Sequence, residues 1–279
     1  MNIESEKIQR TFGDQGFYSP IRVMSEDITN EYRRRFEAYE RQHGGWYPLS
    51  QGQKLYLLQT WVAELASRTE VLDAVEAVLG PNIMCWGTSL FVKEAKDPAF
   101  VTWHQDSTYW GLSKPDVVTA WIALSPSNRS SGCMKMLPGS HHLDQVPHTD
   151  TLAAENLLTR GQVIDMQVDD SLTSYLILNP GEISLHNIRT VHASEPNTSD
   201  ERRIGVAIRY IAPHVHQLQP GKDSAWLLRG EDQHGHFIHE TPPQADMAPQ
   251  ALVEHARIMK LRQEILYTNV AGKPAHRDD

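Results

Sequence analysis

The amino-acid sequence predicts a mainly β fold, a double-stranded β-helix of the jelly-roll, cupin-like type, with flanking helices. From residue 82 onward the chain is a series of short strand-like segments. Turn signals such as "LPGS", "NPGE" and "EPNTSD" separate these segments. Many short strands at this spacing are typical of β-sandwiches and jelly rolls. Stretches near both ends of the chain instead repeat apolar residues three or four apart, which predicts helices.

Three helices are predicted before the first strand. Residues 25–42 begin with a serine that suits an N-cap, and two acidic residues follow it in the first turn. Residues 53–67 and 70–80 place apolar residues at helical spacing, and Gly80 suits a C-cap. Residues 251–267 carry a further amphipathic pattern, so we expect a helix there as well.

The strand-like segments lie in the middle of the chain. They are residues 82–94, 117–126, 132–142, 161–168, 174–186 and 202–213. We therefore expect one domain over residues 1–279, since no linker or repeat interrupts the sequence. Within it, residues 1–80 form a helical N-terminal part, residues 81–215 the jelly-roll core, and residues 216–279 a C-terminal extension with a helix.

Composition indicates a soluble globular protein. Forty per cent of the 279 residues are hydrophobic and 22% are charged, as in ordinary globular proteins. The net charge of −9 argues against a nucleic-acid partner. Two cysteines, no apolar signal-type core at the start and no membrane-length apolar run predict a cytoplasmic protein without a membrane partner. Fourteen histidines direct attention to metal ligands.

The stretch "VTWHQDSTYWGL" (101–112) holds the first candidate ligands. On a strand, residues two apart point to the same face, so His104 and Asp106 would project together. With one more histidine they would form the facial triad of non-haem Fe(II) oxygenases, which leaves coordination positions open. The alternative is a hydrogen-bonded or surface pair, with the neighbouring aromatic residues serving only as packing.

Two histidines are candidates for the third ligand. His186 and His192 both lie in strand-like sequence, and spacing alone does not separate them. Arg203 follows His192 by eleven residues, so a returning strand would place its guanidinium near the metal. There it could pair bidentately with a carboxylate of a metal-chelating dicarboxylate co-substrate. Alternatively, Arg203 forms a surface salt bridge with Asp200 or Glu201.

Together these motifs resemble the phytanoyl-CoA dioxygenase family of Fe(II)/2-oxoglutarate-dependent oxygenases. The resemblance covers roughly residues 10–240 and rests on "GFYSP", "TWHQDSTYW", "GCMKMLPGSHH" and "VHASEPNTSDERRIGVAIRYI" in this order. It implies that His104, Asp106 and His192 bind Fe(II) and that Arg203 binds the distal carboxylate of 2-oxoglutarate. It further implies that O2 is the second co-substrate. Other residues expected to line the 2-oxoglutarate pocket are Trp121, Thr119 and Ser194.

Asp106 also bears on the type of reaction. The segments "GPNIMCW" and "TWHQ" resemble the halogenase branch of these enzymes, which has Ala or Gly at the position of Asp106. Because the carboxylate fills the site that a halide would take, the resemblance implies hydroxylation, with release of succinate and CO2.

The substrate is expected to be a small polar metabolite, with 2-aminoethylphosphonate or a similar zwitterion as the candidate. We see no basic groove for coenzyme A, and residues 141–162 read either as a lid or as a capped surface segment. Candidate substrate contacts are Tyr109, Trp110, Asn156, Arg160 and Arg209. The two aromatic residues in this set are equally explained by packing.

Other functions remain open at this point. The chain could be a natural-product tailoring oxygenase of the same family, a cupin-type metal enzyme that does not use 2-oxoglutarate, or a binding protein without metal. A second histidine cluster, His234, His236 and His239, suggests either a surface turn or a flap, with a second metal site as the alternative.

Overall fold

The computed structural model describes residues 3–45, 52–151, 155–158 and 161–266. The helices are α1 (Ile3–Gln15), α2 (Glu26–His43), α3 (Thr60–Ala66), α4 (Thr69–Leu79) and α5 (Pro249–Leu266). The strands are β1 (Phe17–Arg22), β2 (Ile83–Lys93), β3 (Val101–His104), β4 (Val117–Ala123), β5 (Met134–Met136), β6 (His148–Asp150), β7 (Gln162–Ile164), β8 (Ser174–Tyr175), β9 (Glu182–Asn187), β10 (His192–Ser194), β11 (Arg203–Ile211), β12 (Ser224–Arg229) and β13 (Ile238–His239). A mainly β fold with flanking helices is thus confirmed.

Two sheets carry the site. The large sheet has seven strands in the order β1-β9-β4-β11-β2-β12-β13, and the small sheet has four in the order β3-β10-β5-β8. Neighbouring strands are antiparallel except for β12 and β13. Strands β6 and β7 form a separate hairpin. Strands that are far apart in sequence therefore lie side by side in both sheets.

Strand β4 explains how the large sheet is buried on both faces. Val118, Ala120 and Ile122 belong to the apolar cluster that also contains residues of helices α2, α3 and α4. Thr119 and Trp121 alternate with them and line a cavity together with residues of the small sheet. The period-2 alternation of a strand thus assigns one face of the sheet to the helices and the other to the cavity.

The predicted helix over residues 53–67 is wrong as a continuous helix. A 3₁₀ turn over Leu55–Leu57 precedes the shorter α3. Lys54 has a left-handed backbone with φ of 49°. The backbone N–H of Lys54 donates to the carbonyl of Thr88 at 3.1 Å, and that of Leu55 donates to the Thr88 hydroxyl at 2.7 Å. These bonds to strand β2 replace helical ones and explain the break.

Several strands differ from their predicted extents. The segment 132–142 retains only β5 and then enters a 3₁₀ turn at Ser140–His142, after Gly139 at φ +75°. The segment 174–186 divides into β8 and β9. Strands β1 and β12 were not predicted, and both join the large sheet from outside residues 81–215. In the described part of the chain, no helix combines the length and apolarity that a membrane crossing requires.

Candidate functional site

The small sheet places two predicted ligands next to each other. Strands β3 and β10 are antiparallel, and His104 lies opposite His192 in their register. The two imidazole rings are 4.1 Å apart between centroids. Strand β3 ends at His104, so the prediction that one strand carries both His104 and Asp106 is wrong. The chain bends after His104, and Asp106 begins a 3₁₀ turn, Asp106–Tyr109. The turn still directs its carboxylate toward the two imidazoles.

The three side chains form a compact donor set. One ligand atom each from His104, Asp106 and His192 lies within 4.8 Å of the other two. The Nδ1 atoms of the histidines are 2.9 Å from backbone carbonyl oxygens, those of Thr102 and Thr190. A neutral imidazole that donates through Nδ1 keeps the lone pair on Nε2, so each carbonyl prepares its histidine for a metal.

The protonation states also suit a metal. Burial, together with the neighbouring His104, holds the pKa of His192 well below its ordinary value, which keeps the imidazole neutral. Burial alone would raise the pKa of Asp106. The imidazoles of His104 and His186, with smaller contributions from other nearby charges, nevertheless hold the pKa of this carboxyl well below its ordinary value. Two histidines and one carboxylate are the donor set of the iron facial triad, so these residues fit Fe(II).

His186 lies beside this set but in the large sheet. Its Nε2 is 3.7 Å from Asp106 Oδ2, and its ring is 4.9 Å from that of His192. It is 2% exposed, and its Nδ1 has no hydrogen-bond partner. The structure therefore groups His192 with His104 and Asp106 and leaves His186 as a neighbour.

Arg203 lies in the same cavity as the triad. It is 2% exposed and donates to the carbonyl of Gly132, while its Nε has no partner. The alternative of a surface salt bridge is wrong for this arginine. Asp200 pairs with Lys96 at 3.0 Å instead, and the neighbouring Arg202 takes the surface role, pairing with glutamates of other segments.

Of the residues expected around 2-oxoglutarate, Trp121 lies against Arg203, whereas Thr119 lies opposite Arg209, six residues further along β11. The guanidinium of Arg203 lies 5.3 Å from the ring centroid of Trp121. Gly205 makes this possible, because a Cβ there would lie 1.9 Å from the indole. Thr119 and Ser194 also line the cavity, and both are almost fully buried. The four predicted residues are therefore brought together at one cavity.

Lys93 is a neighbour that sequence reasoning missed. It lies opposite Arg203 in the register of β2 and β11, and its ammonium donates to Ser194 Oγ at 2.8 Å. Burial, followed by the charge of Arg203, lowers the pKa of Lys93 to about 7. The sequence does contain a signal, because a lysine is unusual in a strand-like segment such as 82–94. It does not show which strand pairs with that segment, and so it does not place Lys93 beside Arg203.

Of the predicted substrate contacts, one lines the cavity and two others make structural contacts. Arg209 lines the cavity. Trp110 packs edge-on against Trp86 with ring centroids 5.0 Å apart. The amide of Asn156 donates to Thr102 Oγ1 at 2.8 Å and thus fastens the 141–162 segment to strand β3. The side chain of Tyr109 and the whole of Arg160 lie outside the described residues.

The second histidine cluster lies on the surface. His234 and His239 are exposed and His236 is half-buried, and His239 Nε2 pairs with Asp232 Oδ2 at 2.8 Å. Among the described residues, the triad brings three possible ligand atoms within 4.8 Å of one another, and this cluster does not. The surface-turn interpretation therefore accounts for these residues.

Comparison with known proteins identifies relatives of this chain. The profile of the family described as phytanoyl-CoA dioxygenase matches residues 12–205. A probable alpha-ketoglutarate-dependent hypophosphite dioxygenase of Stutzerimonas stutzeri is 28% identical over 178 residues, which cover 63% of this chain and 58% of that protein. The peroxisomal phytanoyl-CoA dioxygenase of Homo sapiens is 26% identical over 153 residues, covering 53% of this chain and 45% of that protein. The chain thus spans about half the length of these curated relatives.

A solved structure is similar over nearly the whole chain. The apo form of ThoJ, described as a non-heme monooxygenase, superimposes with a TM-score of 0.84 at 29% sequence identity. The match covers 94% of this chain and 98% of that one. The shared jelly-roll architecture agrees with the fold that the sequence predicts.

Proposed function

The chain belongs to the phytanoyl-CoA dioxygenase family, and from that premise we propose that it is an Fe(II)- and 2-oxoglutarate-dependent dioxygenase. It hydroxylates a C–H bond of a small polar metabolite, while 2-oxoglutarate and O2 are converted to succinate, CO2 and the oxygen atom of the new hydroxyl group. One observation carries the proposal: a His/Asp/His donor set and the buried Arg203, which forms no ion pair with a carboxylate among the described residues, share a single cavity.

Each residue then has a stated task. His104, Asp106 and His192 would hold Fe(II), which supplies the oxidative decarboxylation of 2-oxoglutarate and the oxidation of the C–H bond when bound. Arg203 pairs with the distal carboxylate of 2-oxoglutarate and orients it, because a planar guanidinium matches a carboxylate in two parallel hydrogen bonds. Ser194 adds a hydroxyl donor from strand β10 of the small sheet.

The surrounding residues exclude water from the cavity and hold its polar groups in orientation. Trp121 covers the Arg203 guanidinium, and Thr119 contributes a hydroxyl from the same strand. Excluding water strengthens the electrostatic interactions inside the site and protects the reacting groups from side reactions.

Replacing Arg203 by glutamine is expected to weaken 2-oxoglutarate binding by roughly 10- to 150-fold, as the loss of a charge-assisted pair predicts. The amide keeps part of the side-chain volume but carries no charge. Calorimetric titration of the Fe(II)-loaded protein with 2-oxoglutarate under anaerobic conditions measures the change.

Arg202→Gln is the matched control, because Arg202 is adjacent in sequence but pairs with Glu40 and Glu94. It should leave 2-oxoglutarate affinity within about twofold. Equal affinities of the Arg203 variant and the unmodified protein would contradict the co-substrate assignment.

The substrate proposed is 2-aminoethylphosphonate or a similar zwitterion. The similarity to a hypophosphite dioxygenase supports a small, polar phosphorus compound, since that relative acts on a small oxyanion by its name. A panel of small amino acids, quaternary amines and phosphonates, scored by the succinate release that each stimulates, tests this choice. Stimulation by a larger, apolar natural product alone would favour a tailoring oxygenase.

The alternative of a cupin-type metal enzyme predicts a different result. Such a protein would neither bind 2-oxoglutarate nor release succinate from it in the presence of Fe(II) and O2. Succinate formation in the absence of any other substrate separates the two functions, because only a 2-oxoglutarate-dependent enzyme shows uncoupled turnover.

A further inference from the structure

Arg209 is a cation in the cavity that neither the iron ligands nor the proposed 2-oxoglutarate pocket uses. Its Nη1 donates to Ser89 Oγ at 3.0 Å, and its Nε has no hydrogen-bond partner. No ion pair joins its guanidinium to a carboxylate in the described part of the chain. Asp106 is the carboxylate whose charge acts on it, and a bound metal would take that charge. A desolvated guanidinium in this position therefore lacks an anion.

Arg209 belongs to a row of polar side chains across three strands. In the register of β11 and β4 it lies opposite Thr119, and in that of β4 and β9 Thr119 lies opposite His186. Thr119 and His186 are each 2% exposed. Thr119 Oγ1 and His186 Nδ1 both lack a hydrogen-bond partner. Three adjacent side chains that line one cavity thus leave polar atoms unsatisfied, whereas buried polar groups normally find partners.

This row lies at a different end of the cavity from Arg203. The two arginines are six residues apart on β11, so they face the same side of the sheet with Cα atoms about 20 Å apart along the strand. His186, at the edge of the row, faces Asp106 Oδ2 at 3.7 Å. The row therefore adjoins the iron site on the side away from the 2-oxoglutarate carboxylate.

We propose that Arg209, Thr119 and His186 form a subsite for an anionic oxygen-bearing head group of the substrate, a phosphonate or a carboxylate. Arg209 provides the charge and the hydrogen bonds of a guanidinium, Thr119 donates through its hydroxyl, and His186 adds a polar contact. The head group is held beside the iron, and the C–H bond to be oxidised extends from it toward the metal. This inference rests on the proposed function and names the chemical class of its substrate.

The competing explanation gives Arg209 a purely structural role. The guanidinium of Arg209 lies 5.4 Å from the ring centroid of Trp110 and donates to Ser89. In this explanation, these two contacts account fully for the presence of the arginine. A structural arginine would not discriminate between charged and uncharged ligands. Binding measurements can therefore separate the two roles.

The experiment uses the full chain loaded anaerobically with Fe(II) and saturating 2-oxoglutarate. Methylphosphonate, 2-aminoethylphosphonate and propionate are titrated as anionic probes, with uncharged dimethyl methylphosphonate as the control ligand. Calorimetry reports binding, and the visible absorption of the iron–2-oxoglutarate complex reports whether the probe reaches the metal site. We expect the unmodified protein to bind at least one anionic probe and not the ester; the phosphonates and propionate distinguish the two head groups.

In Arg209→Gln, anion binding should weaken roughly tenfold to a hundredfold, while 2-oxoglutarate affinity stays within about twofold. Thr119→Val keeps the shape of the side chain but removes its hydroxyl, and it should weaken anion binding roughly twofold to tenfold. Arg209→Lys keeps the charge, loses the planar fork and should fall between the unmodified protein and Arg209→Gln. Retained 2-oxoglutarate absorption shows that the two Arg209 variants are folded, and an unchanged circular dichroism spectrum shows it for Thr119→Val.

Three outcomes would overturn the subsite. Anion affinity could be unchanged in Arg209→Gln, the ester could bind as well as the anions, or no anionic probe could bind at millimolar concentration. In each case intact 2-oxoglutarate binding would leave the proposed function standing. If Arg209→Gln abolishes 2-oxoglutarate binding and Arg203→Gln does not, the co-substrate assignment itself fails, and with it the placement of this subsite.

Discussion

Asp106→Ala is expected to reduce substrate hydroxylation by more than about a hundredfold, since even residues that merely orient a metal ligand are worth 10- to 100-fold. The variant removes the single carboxylate of the donor set and leaves two imidazoles. Fe(II) affinity should fall in parallel because two neutral ligands hold a divalent cation less firmly than two neutral ligands and one anion. Anaerobic Fe(II) titration and succinate release measure the two effects separately.

Asp116→Ala is the matched control for this variant. Asp116 also lies beside a histidine, with its Oδ2 2.7 Å from His214 Nε2, but both side chains are substantially exposed and outside the cavity. It should leave iron affinity and turnover nearly unchanged. If Asp106→Ala kept the iron affinity and turnover of the unmodified protein, the ligand assignment would be wrong.

The second large effect concerns stability. Glu240→Ala is expected to lower the free energy of unfolding by about 3–5 kcal/mol, the cost of leaving a buried charge without its partner. Glu240 and Lys54 form an ion pair at 2.7 Å with both side chains 0% exposed. Tyr56 also donates its hydroxyl to Glu240, and Lys54 donates to the carbonyl of Ser224 at 2.7 Å. The substitution therefore disrupts a network that joins the 3₁₀ turn at Leu55–Leu57 to strand β12 and to the residue that follows β13.

Denaturant and thermal unfolding, followed by circular dichroism, measure this change. Glu254→Ala is the control, because Glu254 pairs with Arg257 in an exposed i,i+3 pair and should shift stability by no more than about 0.5 kcal/mol. The double variant Lys54→Met with Glu240→Leu should be less destabilised than Glu240→Ala, since it removes both charges. A Glu240→Ala variant as stable as the control would show that the network contributes little.

Much of the fold could be predicted because its elements have strong local patterns. The strand-like segments 82–94 and 202–213 became β2 and β11, and residues 25–42 became α2 with an N-cap at Ser25 that accepts from the N–H of Ile28. Strand β1 could not be predicted in the same way. It is a six-residue edge strand that contains a proline, and its partner, β9, lies more than 150 residues away.

The sequence by itself determined the chemistry of this protein: a histidine and an aspartate two residues apart, two later histidines, and an arginine eleven residues after the second. Only the tertiary structure decided which of them meet. His192 joins His104 because β10 pairs with β3, whereas His186 lies in the other sheet. Lys93 and the row containing Arg209 emerge for the same reason. Local periodicity determines the face on which a side chain lies, but strand order depends on long-range pairing that no short stretch encodes.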